Sequence, residues 1–246
     1  MRRLRSSVRH PAIFAKLVWT RVNEWAMGIK TEPERDGLPQ RTEKDWWRGK
    51  LVAGVKHSDN FEYASLDYLN IRSVIRMLKP CEEDVFFDIG CGKGRVVCMM
   101  ARERIKKCVG IELLQPLCAV AERNAKSLRG RKAPIEIMCC DATEANMNHG
   151  SIYFFFNPFG PETLRDTLQN IKRSLDACPR TARFVYYNSE FESIFHDAGW
   201  LTKTRECKSL GGLSIGFWES RPSGVENNMR VDAQSGKVVG PDDRGA

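Results

Sequence analysis

Hydrophobic and polar positions divide the chain into two alternating kinds of segment. Short apolar runs fall at DVFFDI (84–89), KCVGIE (107–112), IEIMCC (135–140), SIYFFF (151–156) and ARFVYY (182–187). Runs of this length, rich in β-branched and aromatic residues, predict buried strands. Between them, apolar residues recur every three or four positions in GRVVCMMARER (94–104), QPLCAVAERNAKSL (115–128) and PETLRDTLQNIKRSL (161–175), with a shorter helical stretch near 190–198. That spacing predicts helices with one apolar face. Pro161 suits a first helical turn, where a missing N–H costs nothing. The final runs, LTKTREC and LSIGFWES, read as a hairpin. The alternation predicts an α/β fold, a doubly wound and mostly parallel sheet with helices on both faces.

The flanks differ. HPAIFAKLVWTRVNEWAM (10–27) places Ile13, Phe14, Leu17, Val18, Val22, Trp25 and Ala26 at helical spacing, which predicts an amphipathic helix. Residues 28–60 are polar, with Gly28, Pro33, Gly37 and Pro39, and read as a connector. YASLDYLNIRSVIRMLK (63–79) predicts a second amphipathic helix closed by Pro80. Residues 221–246 are polar and Gly-rich with almost nothing to bury, and are expected to form a disordered tail. The expected organisation is a basic helix and connector over 1–60, one domain over 61–220, and the tail.

Composition narrows the picture. A chain of 246 residues with 42% hydrophobic content suits one α/β domain with appendages. No apolar run approaches the roughly 20 residues of a membrane span. The nine cysteines are scattered, with no CxxC pair and no Cys/His metal spacing, so they are expected to be reduced, mostly buried thiols of an intracellular protein without a metal. The net charge of +8 is concentrated: Arg2, Arg3, Arg5, Arg9, Lys16 and Arg21 contribute +6 within the first 21 residues, which hold no acid. Such an arm suits RNA, DNA or an anionic membrane face. It also resembles a mitochondrial transit peptide, and a solvated basic helix without a partner is an equal alternative. The expected location is the cytoplasm, with the basic helix at a membrane periphery.

Candidate chemistry collects after the strands. FFDIGCGKGR closes the first strand and opens a helix, with glycines at 90, 92 and 94. Glycines there permit a sharp turn and close approach to a ligand, and the helix N-terminus behind them offers free N–H groups. The spacing is GxGxG, not the GxGxxG of dinucleotide enzymes, and Asp88 lies beside the loop. A carboxylate there repels a pyrophosphate and suits a cationic ligand. Glu112 ends the second strand, where an acid accepts ribose hydroxyls, and Asp141 ends the third, where an acid or its neighbouring amide recognises an adenine amino group. Three consecutive strands thus end in acids at the carboxyl edge of one sheet.

In that order and spacing, DIGCGKG, GIE, CDAT and FFFNPF resemble the class I S-adenosylmethionine-dependent methyltransferase family, over residues 60–220. Within it the chain is similar to uncharacterised bacterial members with a DxGxGKGR loop and a single-proline NPF. The resemblance implies a seven-stranded sheet with the last strand antiparallel, which agrees with the hairpin. It implies S-adenosylmethionine as cofactor, with Asp88, Gly90, Cys91, Gly92 and Gly94 along its methionine and ribose parts. Glu112 would hold the ribose, Leu113 would lie against the adenine, and Asp141 and Ala142 would contact the adenine edge.

The same resemblance directs attention to Asn157, Pro158 and Phe159 after the fourth strand. Relatives that methylate amino groups carry Asn/Asp-Pro-Pro-aromatic there. The Asn oxygen and the next carbonyl accept hydrogen bonds from a substrate NH2, and the aromatic ring packs on a planar acceptor. In this chain the second proline is replaced by Phe159 and the fourth position is Gly160, so the aromatic has moved by one. An amino nitrogen of a protein or nucleic acid is the expected acceptor class, with Asn157 serving either catalysis or the cofactor. Of YYNSEFE (186–192), Tyr186, Tyr187 and Asn188 alternate around the strand end, and Glu190 and Glu192 are candidates for a basic substrate such as a lysine. Tyr63 is a candidate for closing the site. A non-catalytic S-adenosylmethionine-binding scaffold, methylation of a metabolite or lipid at a membrane surface, and a nicotinamide-dependent dehydrogenase remain alternatives.

Overall fold

The computed structural model describes residues 11–31 and 65–220. Tyr63, the connector from residue 32 onward and the expected tail lie outside the described residues. The elements in chain order are α1 (Pro11–Met27), α2 (Tyr68–Leu78), β1 (Val85–Ile89), α3 (Arg95–Met100), β2 (Lys107–Glu112), α4 (Gln115–Ser127), β3 (Ile135–Cys139), β4 (Ile152–Phe156), α5 (Pro161–Ala177), β5 (Arg183–Tyr187), α6 (Glu192–Asp197), β6 (Leu201–Lys208) and β7 (Ser214–Ser220).

The seven strands form one sheet of order β3-β2-β1-β4-β5-β7-β6. β3, β2, β1, β4 and β5 pair in parallel, and β7 runs antiparallel to both β5 and β6. The expected doubly wound sheet and closing hairpin are both present. α3 is shorter than the periodicity over 94–104 predicts, because the chain leaves the helix for a turn after Met100. α2 begins at Tyr68, where the Asp67 side chain accepts the Asn70 N–H and caps the first turn.

Alternation along the strands sorts the core into two layers. Phe86, Phe154, Val185 and Phe217 face one side, with Ile71, Val74 and Leu78 of α2, Val97 of α3 and Ala121 of α4. Val85, Phe87, Ile89, Tyr153, Phe155, Phe184 and Tyr186 face the other, with Leu164, Leu168 and Ile171 of α5 and Phe195 of α6. Tyr153 stacks between Phe87 and Phe184, with centroids 5.5 and 5.1 Å away, and ties three strands by their rings. Covered on both faces, the sheet exposes only its edges and strand ends to ligands.

The thiols depart from expectation. Cys91, Cys98, Cys108 and Cys118 are buried, but Cys81 and Cys139 are exposed and the other three half-buried. Cys139 lies in β3, the edge strand of the sheet, none of whose residues is fully buried. No described helix is long and apolar enough to cross a membrane.

Candidate functional site

Strand order reverses between β1 and β4, the switch point at which open α/β sheets place a ligand crevice between the loops that leave the two strands. The register sets Ile89 beside both Ile111 and Phe155, and Glu112 beside Cys139. The glycine loop, Glu112–Leu113, Asp141–Ala142 and Asn157–Pro158 therefore lie along one carboxyl edge. A depression of about 630 Å3, lined by Glu82, Arg104, Ile105 and Lys132, opens at the opposite edge, away from all of them.

The loop's shape follows from its glycines, which have φ of 76°, 54° and 78° at positions 90, 92 and 94. At Gly90 the requirement is double. Its φ is left-handed, and a Cβ there would lie 2.5 Å from Cβ of Pro158. Gly90 and Pro158 are thus the point where the two sides of the crevice touch. The Gly90 and Cys91 amides both donate to the Ile111 carbonyl at 2.9 Å, which pins the loop to β2. The Cys91 side chain is turned onto Gly110 of that strand, where a Cβ would lie 2.7 Å from its sulfur. Burial raises its thiol pKa well above the usual range and keeps it a neutral thiol packed on the loop.

Asp88 is 2% exposed, and its Oδ2 has no hydrogen-bond partner among the protein atoms. Burial, aided by the neighbouring Glu112 charge and opposed by the Val97 amide, pushes its carboxyl up to about 8. A buried carboxyl with an unused acceptor is costly unless something completes it. Glu112 Oε2 accepts the Gly92 amide and Oε1 the Leu114 amide, both at 2.9 Å. Burial raises the Glu112 pKa, against the pull of these donors. A carboxylate has about four lone-pair sites, so beside these amides and that of Leu113 it can still accept a hydroxyl, as the expected ribose role needs. Leu113 is half-buried and Ala142 buried. Asp141 Oδ1 accepts both the amide and the hydroxyl of Thr143 at 2.8 Å, a local turn that stiffens the end of β3.

On the other side of the crevice, Asn157 takes φ of 41°, a left-handed conformation that Asn tolerates better than most residues. The Tyr186 hydroxyl donates to Asn157 Oδ1 at 3.1 Å and accepts the Phe191 amide at 3.4 Å. The Phe191 amide uses a hydroxyl lone pair and leaves the phenol proton to Asn157, which orients its amide. Phe159 is 5% exposed and belongs to the core layer with α5. The catalytic role expected of Phe159 is corrected: after the bend at Asn157, Phe159 forms a β-bridge and its ring lies in that core layer rather than open to an acceptor. Glu192 is also redirected, because Lys203 pairs with it at 2.9 Å and so occupies it in place of a basic substrate. Glu190 is exposed and accepts from Asn188 Nδ2 at 3.1 Å. Tyr187 lies on the opposite core layer from Tyr186.

Several residues that hold the loop escaped the sequence reading. Asn124 of α4 donates to the Lys93 carbonyl at 2.8 Å and to that of Lys30 at 2.9 Å. Arg95, the first residue of α3, is buried and donates to Thr31 Oγ1 at 2.5 Å and the Leu66 carbonyl at 2.9 Å. It also pairs with buried Glu24 at 3.4 Å and lies 4.7 Å from the Tyr68 ring centroid. A buried polar residue inside an otherwise apolar helix pattern, such as Asn124 or Glu24, was the available signal. These contacts also make residues 20–31 part of the domain's packing, where a separate N-terminal segment had been expected. Among the described residues no His, Cys, Asp and Glu side chains cluster as a metal site.

Comparison with known proteins bears on the first side of the crevice most directly. A family model described as histone methylation protein DOT1 matches residues 51–152. That span takes in the glycine loop, Glu112 and Asp141 and stops before Asn157. No curated protein matches the chain. Among solved structures, an RNA methyltransferase from Salinibacter ruber in complex with S-adenosyl-L-homocysteine is similar with a TM-score of 0.50 and 19% identity, covering 68% of this chain and 99% of that one. TrmN from Thermus thermophilus is similar with a TM-score of 0.50 and 13% identity, covering 65% of this chain and 50% of that one. The fold is thus the Rossmann-like, seven-stranded one that these methyltransferases have.

Proposed function

We propose that the protein binds S-adenosylmethionine at the crevice between β1 and β4 and transfers its methyl group to an acceptor nucleophile. The observation that carries this is Asp88, a buried carboxyl with an unpartnered oxygen, beside three left-handed glycines and Glu112. Such a cradle fits a ligand with a cationic group and a ribose. The Asp88 carboxylate would hold the positive charge, the glycine loop would admit the ligand's chain, and Glu112 would accept the ribose hydroxyls. Leu113 and Ala142 supply apolar walls and Asp141 a polar edge for the base. Bound there, the cofactor supplies an electrophilic methyl group on a sulfonium, a leaving group that needs no metal.

The chain's own contribution is charge placement and positioning. Asn157, held by Tyr186 and by Pro158 packed on Gly90, keeps a free lone pair on Oδ1 that accepts an N–H of the acceptor. Tyr186 is a positioning residue that acts through Asn157. This favours an amino nitrogen. The matched family model concerns histone methylation and the Salinibacter neighbour is an RNA methyltransferase, so protein and RNA are the acceptors to try. The test is incubation with methyl-labelled S-adenosylmethionine and fractionated lysate, beside calorimetry with S-adenosylmethionine and NAD. Label in a protein or RNA fraction supports the reading. Binding of NAD without S-adenosylmethionine ends it, and S-adenosylmethionine binding with no label transferred identifies a cofactor-binding scaffold.

A further inference from the structure

α1 is turned the opposite way from every expectation of an amphipathic helix. From residue 15 onward, where its side chains are described, the buried ones are Thr20, Asn23, Glu24 and Met27, and all but Met27 are polar. Its outward face, by the 100° step of an α-helix, is Ala15, Val18, Trp19, Val22, Trp25 and Ala26, and all six are exposed. Val18 is 45%, Trp19 41%, Val22 51% and Trp25 76% exposed. α2 and α5 behave conventionally and bury their apolar sides.

The inversion has a cause. Glu24 Oε1 accepts the Thr31 amide at 2.6 Å and its hydroxyl at 2.7 Å, and pairs with Arg95. Asn23 accepts from Arg72 at 3.3 Å, and the Arg129 amide donates to the Met27 carbonyl at 2.8 Å. Rolling the helix to bury its tryptophans would strand a buried carboxylate and a buried guanidinium. The polar face is therefore committed to the domain, and the apolar face is left outward.

We propose that this outward face docks the protein on the surface of an anionic bilayer. Charge selects that occupant. Arg21 borders the apolar stripe, exposed Lys16 lies one turn before Thr20, Arg2, Arg3, Arg5 and Arg9 precede the helix in the sequence, and the first acid in the chain is Glu24, on the inward face. A contiguous stripe of Val, Ala and Trp seeks hydrocarbon, which a nucleic-acid backbone does not offer. A second copy would bring two such basic arms together against their own repulsion. Tryptophan favours the boundary between headgroups and acyl chains, and cations beside it favour anionic lipid. The helix lies in the interface and does not cross it.

The test uses the full chain with phosphatidylcholine vesicles, alone or containing phosphatidylglycerol, read by co-sedimentation and by hydroxyl-radical footprinting of Trp19 and Trp25. The protein is expected to bind only the anionic vesicles, more weakly as salt rises. Both tryptophans should label readily in lipid-free monomer and become protected on vesicles. The double variant W19S/W25S, whose melting should match the parent because both side chains are solvent-facing, should bind about tenfold or more weakly. Failure to bind anionic vesicles overturns the proposal, as does binding unchanged in the variant. Protection of Trp25 without lipid also overturns it, in favour of residues 32–64 if the protein sediments as a monomer, or of a second copy if it is a dimer. Retention on RNA with vesicles ignored assigns the face to nucleic acid. None of these outcomes touches the cofactor site, which calorimetry reads separately.

Discussion

The two sides of the crevice are built by different means. On the β1–β3 side the carboxylates and the glycine turn are held mainly by backbone, with the Asn124 side chain bracing the loop at the Lys93 carbonyl: the Gly92 and Leu114 amides on Glu112, the Ile111 carbonyl under Gly90 and Cys91, and the Thr143 amide on Asp141. On the β4–β5 side they are held by side chains that arrive from elsewhere: Tyr186 on Asn157, Lys203 on Glu192, the core around Phe159. Backbone-held groups change little when surrounding side chains vary. Side-chain-held groups can be reassigned by a single substitution. The contrast suits a constant ligand on the first side and an acceptor particular to this protein on the second.

The strongest blow to that division is Gly90→Ala, because Gly90 is where the two sides touch. A left-handed alanine with its Cβ 2.5 Å from Pro158 is expected to cost about 3 kcal/mol or more and to impair both sides together. Thermal unfolding and calorimetry with S-adenosylmethionine would read this, and an unchanged melting curve would show that the sides are not joined at that point.

Asp88→Asn should act on the first side alone. Losing a charge-assisted contact is expected to weaken S-adenosylmethionine binding by about 10- to 100-fold while the fold persists. Asp88 also sets a pH dependence. With its carboxyl at about 8, the cofactor-free site is largely protonated at neutral pH, and a cationic ligand must expel that proton. Affinity should therefore rise with pH by up to about tenfold per unit and level off above about 8, and Asp88→Asn should flatten the profile. Stability runs the other way: the folded protein holds a proton that the unfolded chain releases near its ordinary carboxyl value. This group's contribution thus falls as pH rises from about 4 to about 8.

Tyr186→Phe probes the second side. It keeps the ring stacked on Phe195, at a centroid distance of 5.0 Å, and removes only the hydroxyl. Turnover is expected to fall about five- to tenfold with S-adenosylmethionine affinity unchanged, in keeping with one hydrogen bond. A matching loss of cofactor affinity would move Asn157 to the cofactor's side of the comparison. Smallest of all, Glu192→Gln should leave acceptor KM unaltered and lower stability by about 0.5–1 kcal/mol, the worth of a partly exposed pair with Lys203. A raised KM for a basic acceptor would restore Glu192 to the site.

The first side was legible because each of its residues answers a local demand. Gly90, Gly92 and Gly94 stand where the backbone must turn left-handed, and Asp88, Glu112 and Asp141 stand at ends of strands announced by their own apolar runs. The second side was legible only at Asn157-Pro158, where an apolar strand stops. The core position of Phe159 and the capture of Glu192 depend on residues of α5 and β6 that no spacing ties to them. Asn124 and Arg95 were missed for the same reason, since their partners lie up to 94 residues away in the chain.

From the sequence alone came the order of strands and helices, the glycine loop and the row of acids at the strand ends. These follow from periods of two and of about 3.6 residues and from left-handed turns, which are properties of a few consecutive positions. Tertiary structure decided which polar groups were already spoken for. It turned α1 over, because Glu24 finds Arg95 and Thr31 inside the domain, and pairing a buried charge outweighs covering Trp19 and Trp25. It also buried Asp88 at the sheet's switch point with one oxygen unpartnered by the protein, which no local sequence pattern announces.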